Sequence, residues 1–271
     1  MGVGLEIPVF GADAALKAVE LGASRIELNA KGSYPDGGLT PSLDDLQRVA
    51  HLPIPVRIMI RPRGPLPQKD TRDFIYSEEE FKQMEADIRR FKESGLLNEE
   101  RGDGFVFGIL KEDSPRNDQC WVEEDRCWVD KDRCSHLVGI ARPLKVVFHR
   151  AFDEIVSCDD DGSDIDSRYA WKTGLNHLAA CGFNAILTSG GVGRAADNIA
   201  MLDNIITKAE TLGIEIIVGG GIRKYNVAEL SQRLKLSERG KSTFVHSACL
   251  SNTESEDIDA DEVINILSQL K

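Results

Sequence analysis

The sequence predicts a single-domain (β/α)₈ barrel, in which eight parallel strands close on themselves inside a ring of helices. Short apolar runs alternate strictly with longer amphipathic ones, the apolar runs number eight, and the chain has 271 residues. Barrels of this kind typically need roughly 250 residues. Strict alternation indicates parallel strands, because each helix returns the chain to the edge where the next strand starts. A doubly wound open sheet is the alternative, but no GxGxxG motif follows the first strand.

The predicted strands are rich in Val, Ile or Phe and end at glycine, polar or charged residues. In chain order they are Leu5–Phe10, Arg25–Ala30, Val56–Pro62, Gly104–Leu110, Leu144–Arg150, Ala185–Gly191, Ile214–Gly221 and Ser242–Ala248.

The predicted helices carry start and stop signals. Gly22 follows the first helix as a C-cap, and Ser77 with Glu80 forms a capping box at the start of the third. In chain order the helices are Ala12–Leu21, Ser42–Leu52, Ser77 to about Gly95, Lys131–Ala141, Tyr169–Cys181, Ala196–Leu212, Asn226–Leu234 and Asp261–Leu270.

Two stretches interrupt the alternation and are predicted to be surface insertions, at about 111–130 and 154–167. The first contains the near-repeat QCWVEED and RCWVDKD, so Cys120, Cys127 and Cys134 recur every seven residues. Tandem duplication of a short segment explains this spacing without a metal, and no CxxC pair indicates a zinc or redox site. The second stretch is acidic and lacks the spacing of an EF-hand loop.

Charge and hydropathy exclude several classes of function. The 33 basic and 45 acidic residues give a net charge of −12, whereas binding to nucleic acid or to an anionic membrane needs a basic surface. The N-terminal residues have neither the basic nor the apolar region of a signal peptide. A long run without charged residues, which includes 175–193, contains several polar side chains and is unsuited to lipid. We therefore expect a cytoplasmic protein with free thiols.

Polar residues near the ends of the predicted strands form the candidate site. In a parallel barrel, function lies at the carboxyl ends of the strands, whereas the interior favours branched apolar side chains. We expect Glu27, His149 and Glu6 to act as acids or bases and Arg61 to bind an anion. The alternative is a structural role, such as a buried ion pair between Glu27 and Arg61 that helps to close the barrel.

Glycine-rich segments follow the sixth and seventh predicted strands. Such loops can bind phosphate through backbone N–H groups, although ordinary turn formation also explains them. The predicted ligand-binding residues are Arg63, Arg150, Ser189, Gly190, Gly191, Gly219, Gly220, Gly221 and His246.

Several motifs, taken in order, resemble the copper homeostasis protein CutC family. They are RIELNAKGSYPDGGLTPS, VRIMIRPRG, RPLKVVFHRAFD, AILTSGG and IIVGGGI, and the resemblance extends from about Leu5 to Ala248. It implies a (β/α)₈ barrel that is usually a homodimer, lies either in the cytoplasm or in both the cytosol and the nucleus, and binds Cu(I) through cysteines. The chain departs from the family at Asn29 and Pro8, where family members commonly have Cys. Neither residue supplies the soft ligand that Cu(I) prefers.

Three functions stay open on the sequence. The first is copper homeostasis, with Cu(I) as the bound ion. The second is a barrel enzyme of lyase, isomerase or hydrolase type that acts on a small anionic or phosphorylated metabolite. The third is a scaffold, which a cramped barrel mouth without a pocket would favour. The expected partners are a copper ion or a small anion and a second copy of the chain, with no nucleic acid and no membrane.

Overall fold

The computed structural model describes residues 2–67, 72–112, 127–157, 170–239, 243–251 and 255–271. Within these ranges, eight parallel strands close into a barrel, so the predicted fold is confirmed. The predicted insertions fall largely outside the described residues, since 113–126 and 158–169 do, and so do Cys120 and Cys158.

Each predicted barrel strand is present. In chain order the strands are β1 (Gly4–Phe10), β2 (Arg25–Asn29), β3 (Val56–Met59), β4 (Gly104–Phe107), β5 (Leu110–Glu112), β6 (Cys127–Val129), β7 (Lys145–Phe148), β8 (Ala185–Thr188), β9 (Glu215–Val218) and β10 (Thr243–His246). Around the barrel the order is β1-β10-β9-β8-β7-β4-β3-β2, with β1 and β2 closing the ring. Strands β5 and β6 form a separate antiparallel pair that the sequence did not predict.

The helices surround the barrel. They are α1 (Ala12–Glu20), α2 (Leu43–Val49), α3 (Glu78–Glu93), α4 (Lys131–Ala141), α5 (Ala151–Ser157), α6 (Ala170–Cys181), α7 (Ile199–Leu212), α8 (Val227–Arg233) and α9 (Ala260–Gln269). Helix α5 was not predicted, because its acidic residues read as the start of the second insertion. No helix in the described ranges has the length and hydropathy needed to span a membrane.

Two apolar layers stabilise the barrel. The larger lies between strands and helices and includes the fully buried Phe91, Phe105 and Phe148. The smaller fills the barrel interior with Met59, Val106, Val147, Ala185, Leu187 and Ile217. The interior layer is incomplete near β1, β2 and β10, where charged side chains take the place of apolar ones. The barrel interior therefore contains buried charged side chains at β1, β2 and β10.

The predicted capping box of α3 is present. The Ser77 hydroxyl accepts a hydrogen bond from the Glu80 backbone N–H at 3.2 Å, and the Glu80 carboxylate accepts one from the Ser77 N–H at 2.7 Å. These bonds satisfy N–H groups that lack partners within the helix.

Ser77→Ala is expected to lower the free energy of unfolding by about 1 kcal/mol, because it removes this cap. Urea denaturation measures the change. Ser268→Ala, at an exposed position late in α9, is the matched control and is expected to change stability by less than about 0.5 kcal/mol. Equal effects of the two substitutions would contradict the assigned role of Ser77.

Candidate functional site

The carboxyl ends of the barrel strands surround a cavity of about 620 Å³. The predicted site residues that line it are Glu27, Arg61, His149, Arg150, Gly220, Gly221 and His246. Among the described residues, the other predicted ones, Glu6, Arg63, Ser189, Gly190, Gly191 and Gly219, lie outside the cavity wall. The mouth is not cramped, so its size favours ligand binding over a purely structural role.

A buried ionic chain lies behind the cavity wall at β1, β2 and β10. Strand register places Glu6 beside both Arg25 and His246. One Glu6 oxygen lies 2.8 Å from His246 Nδ1, and the other accepts a hydrogen bond from Arg25 Nε. Arg25 also donates to Glu215 at 2.8 Å, and its guanidinium lies 3.9 Å from the centre of the Phe244 ring. Glu6 therefore holds His246 in place from inside the barrel.

The contacts of Glu6 determine its charge state. Burial alone would raise the pKa of Glu6, but the Arg25 charge and the His246 hydrogen bond outweigh it and lower the pKa to about 2. Burial likewise opposes the charged form of His246, yet the hydrogen bond to Glu6 and the nearby Glu27 raise the pKa of His246. The two groups therefore stabilise each other as an ion pair.

Glu27 has the opposite environment. Burial raises the pKa of Glu27, the charge of Glu6 adds to the effect, and His246 only partly offsets it. Its Oε1 accepts a hydrogen bond from Asn29 Nδ2 at 3.2 Å. Its Oε2 is buried and has no hydrogen-bond partner among the described residues. An unpartnered buried carboxyl oxygen is costly, so this atom is suited to bind a ligand.

Glu6, Glu27 and His246 form a cluster that can hold a metal ion. One donor atom from each residue lies within 4.8 Å of the others. Because Glu6 occupies His246 Nδ1, the imidazole can coordinate a metal through Nε2 once the metal displaces the proton from that nitrogen. A histidine held by a carboxylate through its other nitrogen is the usual arrangement of a metal-binding imidazole. The donors of this cluster are oxygen and nitrogen.

His149 lies across the barrel, just after β7. Its Nδ1 accepts a hydrogen bond from the Ala151 backbone N–H at 3.2 Å, which assigns the proton of the neutral ring to Nε2. That Nε2 is buried without a partner among the described residues. Burial, with the nearby Arg61 charge, lowers the pKa of His149 to about 3. His149 is therefore a neutral hydrogen-bond donor.

Arg61 is held by contacts to neighbouring loops. Its guanidinium donates to the backbone carbonyl oxygens of Asp36 and Gly38, and to the Asp73 carboxylate at 2.7 Å. The alternative ion pair with Glu27 is not formed among the described contacts. Arg63 donates to Glu80 at 2.6 Å and to the Ile75 carbonyl at 2.8 Å. Both arginines thus fix the segment around residues 73–76 to the barrel mouth.

Asp153 organises the opposite rim, and the sequence reasoning missed it. It lies on α5 and is only 5% exposed. Its carboxylate accepts hydrogen bonds from the Thr188 hydroxyl, from the Ser189 backbone N–H at 3.0 Å and from Arg150 Nε at 2.8 Å. It therefore fixes the loop after β8 to the end of β7. Its position three residues after Arg150 was the available signal, hidden by the acidic segment that follows.

The thiols lie away from the mouth. The described cysteines are Cys127, Cys134, Cys181 and Cys249, all buried, and none lines the cavity. The period of seven places Cys127 on β6 and Cys134 on α4, so these two do not share a helix face. Burial raises the pKa of Cys134, Cys181 and Cys249, which favours the neutral thiol over the thiolate that binds metals.

The Glu6→Gln substitution tests the ion pairs of Glu6 with Arg25 and His246. These ion pairs make the free energy of unfolding depend on pH. The folded pKa of Glu6 is about 2, below its ordinary value of 4.5, so its stabilising effect is complete above pH 4.5 and is lost as the pH falls toward 2. We expect the variant to be less stable than the wild type by about 3 kcal/mol near neutral pH, because Arg25 loses its buried partner.

Urea denaturation at a series of pH values measures this difference. The gap between wild type and Glu6→Gln is expected to narrow as the pH falls from about 5 to about 3. Glu20→Gln, an exposed substitution on α1, is the control. A gap that stays constant over this range would contradict the assigned charge state.

Asp153→Ala is expected to lower the free energy of unfolding by about 3 kcal/mol, because it leaves buried donors at the β8 loop without an acceptor. Thermal and urea denaturation measure the loss. Asp197→Ala, at an exposed position before α7, is the matched control. An Asp153→Ala variant as stable as this control would show that the carboxylate does not anchor the loop.

Comparison with known proteins gives one consistent family. The model of the CutC family matches residues 3–244. A human copper homeostasis protein cutC homolog is 34% identical over 227 residues, which cover 83% of this chain and 68% of the human protein. A Drosophila melanogaster protein of the same name is 33% identical over 228 residues, or 83% of this chain and 72% of the fly protein.

Solved structures agree with the fold. A crystal structure of CutC from Streptococcus agalactiae superposes with a TM-score of 0.66 at 26% identity, covering 91% of this chain and 98% of that one. Phosphoribosylanthranilate isomerase from Thermotoga maritima reaches 0.53 at 12% identity, covering 99% of this chain and 98% of that one. The second likeness shows the barrel fold alone.

Proposed function

The chain belongs to the CutC family of copper homeostasis proteins, and from this premise we propose that it binds a copper ion in the barrel mouth through Glu27 and His246. The observation that carries the proposal is the cluster of Glu6, Glu27 and His246, whose donor atoms lie within 4.8 Å of one another. Of the three, Glu27 and His246 line the cavity and Glu6 lies behind them.

The three residues have different roles in the proposed site. Glu6 is already bonded to Arg25 and to His246 Nδ1, so it orients the imidazole. His246 then presents Nε2, and Glu27 presents the unpartnered Oε2. An orienting carboxylate of this kind fixes the ring and raises the basicity of the coordinating nitrogen. The direct ligands are therefore one imidazole nitrogen and one carboxyl oxygen.

The donor set bears on the oxidation state of copper. Cu(I) prefers thiolate or thioether ligands, whereas imidazole and carboxylate oxygen suit Cu(II). The family resemblance implies Cu(I) bound through cysteines, but Asn29 and Pro8 occupy the strand positions where those cysteines are common. The described thiols are buried elsewhere. Among the described residues the mouth therefore offers no thiolate for a Cu(I) centre, and we propose Cu(II) as the ion it takes.

The proposal includes location and assembly. A cytoplasmic location, with a nuclear pool, is proposed from the resemblance to the family. A homodimer is proposed from the resemblance to the family, and light scattering at several protein concentrations tests it.

Titration with Cu(II) tests the mouth site. We expect Glu27→Gln and His246→Ala each to weaken binding by about 10-fold or more, because each removes one ligand. Replacement of the cysteines by Ala is expected to leave the affinity within about three-fold. Glu20→Gln, which changes an exposed carboxylate on α1 outside the cluster, is the control.

Spectroscopy keeps the test independent of variant stability. Paramagnetic resonance of the copper-loaded wild type is expected to show coupling to nitrogen, and its absorption spectrum is expected to lack a thiolate-to-copper band. Loss of binding in the cysteine variant with retention in Glu27→Gln, together with a thiolate band, would overturn the proposal.

A further inference from the structure

The mouth cavity is too large for a bare metal ion. It has a volume of about 620 Å³, whereas one water molecule occupies about 30 Å³. Its lining combines apolar side chains such as Phe10, Tyr34 and Phe74 with many charged ones, so it can contact both the apolar and the polar parts of a small organic molecule.

Three cavity-lining residues described here carry a buried polar atom without a partner, Glu27, Arg61 and His149, and the first and last of them lie on opposite sides of the barrel. Glu27 and His246 belong to β2 and β10. His149 follows β7, which is separated from β10 by β9 and β8 and from β2 by β3 and β4. His149 accordingly lies outside the cluster of donor atoms around Glu27. An ion bound at that cluster leaves His149 without a partner.

The protonation of the His149 ring determines which kind of ligand atom can bind to it. With Nδ1 occupied by the Ala151 N–H, the neutral ring offers only the Nε2–H donor. The Phe74 ring, whose centre lies 4.6 Å from that of the imidazole, helps to fix the ring plane. The matching atom on a ligand is a hydrogen-bond acceptor, and a carboxylate oxygen is the strongest acceptor among common small organic molecules.

A Cu(II) ion bound at Glu27 and His246 requires further ligands. Cu(II) favours tetragonal coordination by nitrogen and oxygen, and Glu27 with His246 supplies only two protein donors. An α-amino carboxylate supplies one nitrogen and one oxygen to the metal, and its second carboxylate oxygen stays free to accept a hydrogen bond.

We propose that the mouth takes copper as its complex with a small α-amino carboxylate, whose free carboxylate oxygen accepts the hydrogen bond of His149 Nε2–H. This inference rests on the proposed function, since the ion at Glu27 and His246 holds the other end of the molecule. His149 thus selects a chelated ion over a bare one.

Equilibrium dialysis with radiolabelled glycine tests the inference, and the quantity measured is the glycine retained per bound copper ion. The copper-loaded wild type is expected to retain glycine, and the copper-free protein is not. Methylamine, which lacks the carboxylate, is the control probe and is expected to be retained at least about 10-fold less.

Two substitutions isolate His149. His149→Ala is expected to lower the retained glycine per copper by about 10-fold or more, and His149→Gln, which keeps an N–H donor, is expected to recover part of it. His136→Ala, at an exposed histidine on α4, is expected to behave as the wild type.

The outcomes separate the two proposals. A wild type that binds copper but retains no glycine, or a His149→Ala variant that retains as much glycine per copper as the wild type, overturns this inference and leaves the copper site standing. A wild type that binds no copper overturns the copper site and, with it, this inference.

Discussion

The geometry of the barrel mouth depends on the ion pairs that the buried Glu6 carboxylate forms with Arg25 and His246. Strands β1 and β10 meet where the barrel closes, and Glu6 pairs there with His246 while it also binds Arg25 from β2. A lone carboxylate would be unstable at this depth, so the ion pairs are required for the fold to tolerate it. The same contacts fix the orientation of His246. Barrel closure and site geometry are therefore set by one group.

The ionisable groups of the mouth differ in protonation because their surroundings differ. Arg25 and His246 keep Glu6 ionised. Glu27 lies nearby but forms no ion pair among the described residues, and burial raises its pKa. Across the cavity, His149 is neutral because burial and the Arg61 charge both oppose its protonation. The mouth thus offers a carboxyl oxygen and an imidazole on one wall and a neutral donor on the other. This arrangement suits a ligand that consists of a metal cation bound to a small organic molecule with a free oxygen acceptor.

Much of the fold was predictable because barrel strands and helices leave local signals. Capping residues such as Ser77 and the apolar runs of β1 to β10 are readable along the chain. The contact between Glu6 and His246 was not, because it joins residues 240 positions apart and depends on strand register at the closure. Asp153 was missed for a different reason: its segment is acidic in composition, and only the structure shows the carboxylate buried against Ser189. The sequence could name Glu27 and His149 as polar residues at strand ends, but their different protonation behaviour arises from tertiary neighbours.

We propose that oxygen and nitrogen ligands bind the copper in the mouth. X-ray absorption at the copper edge of the loaded protein measures the ligand atoms directly. We expect nitrogen and oxygen atoms as the nearest scatterers, with an imidazole contribution that disappears in His246→Ala. A first shell containing sulfur, unchanged by that substitution, would contradict it.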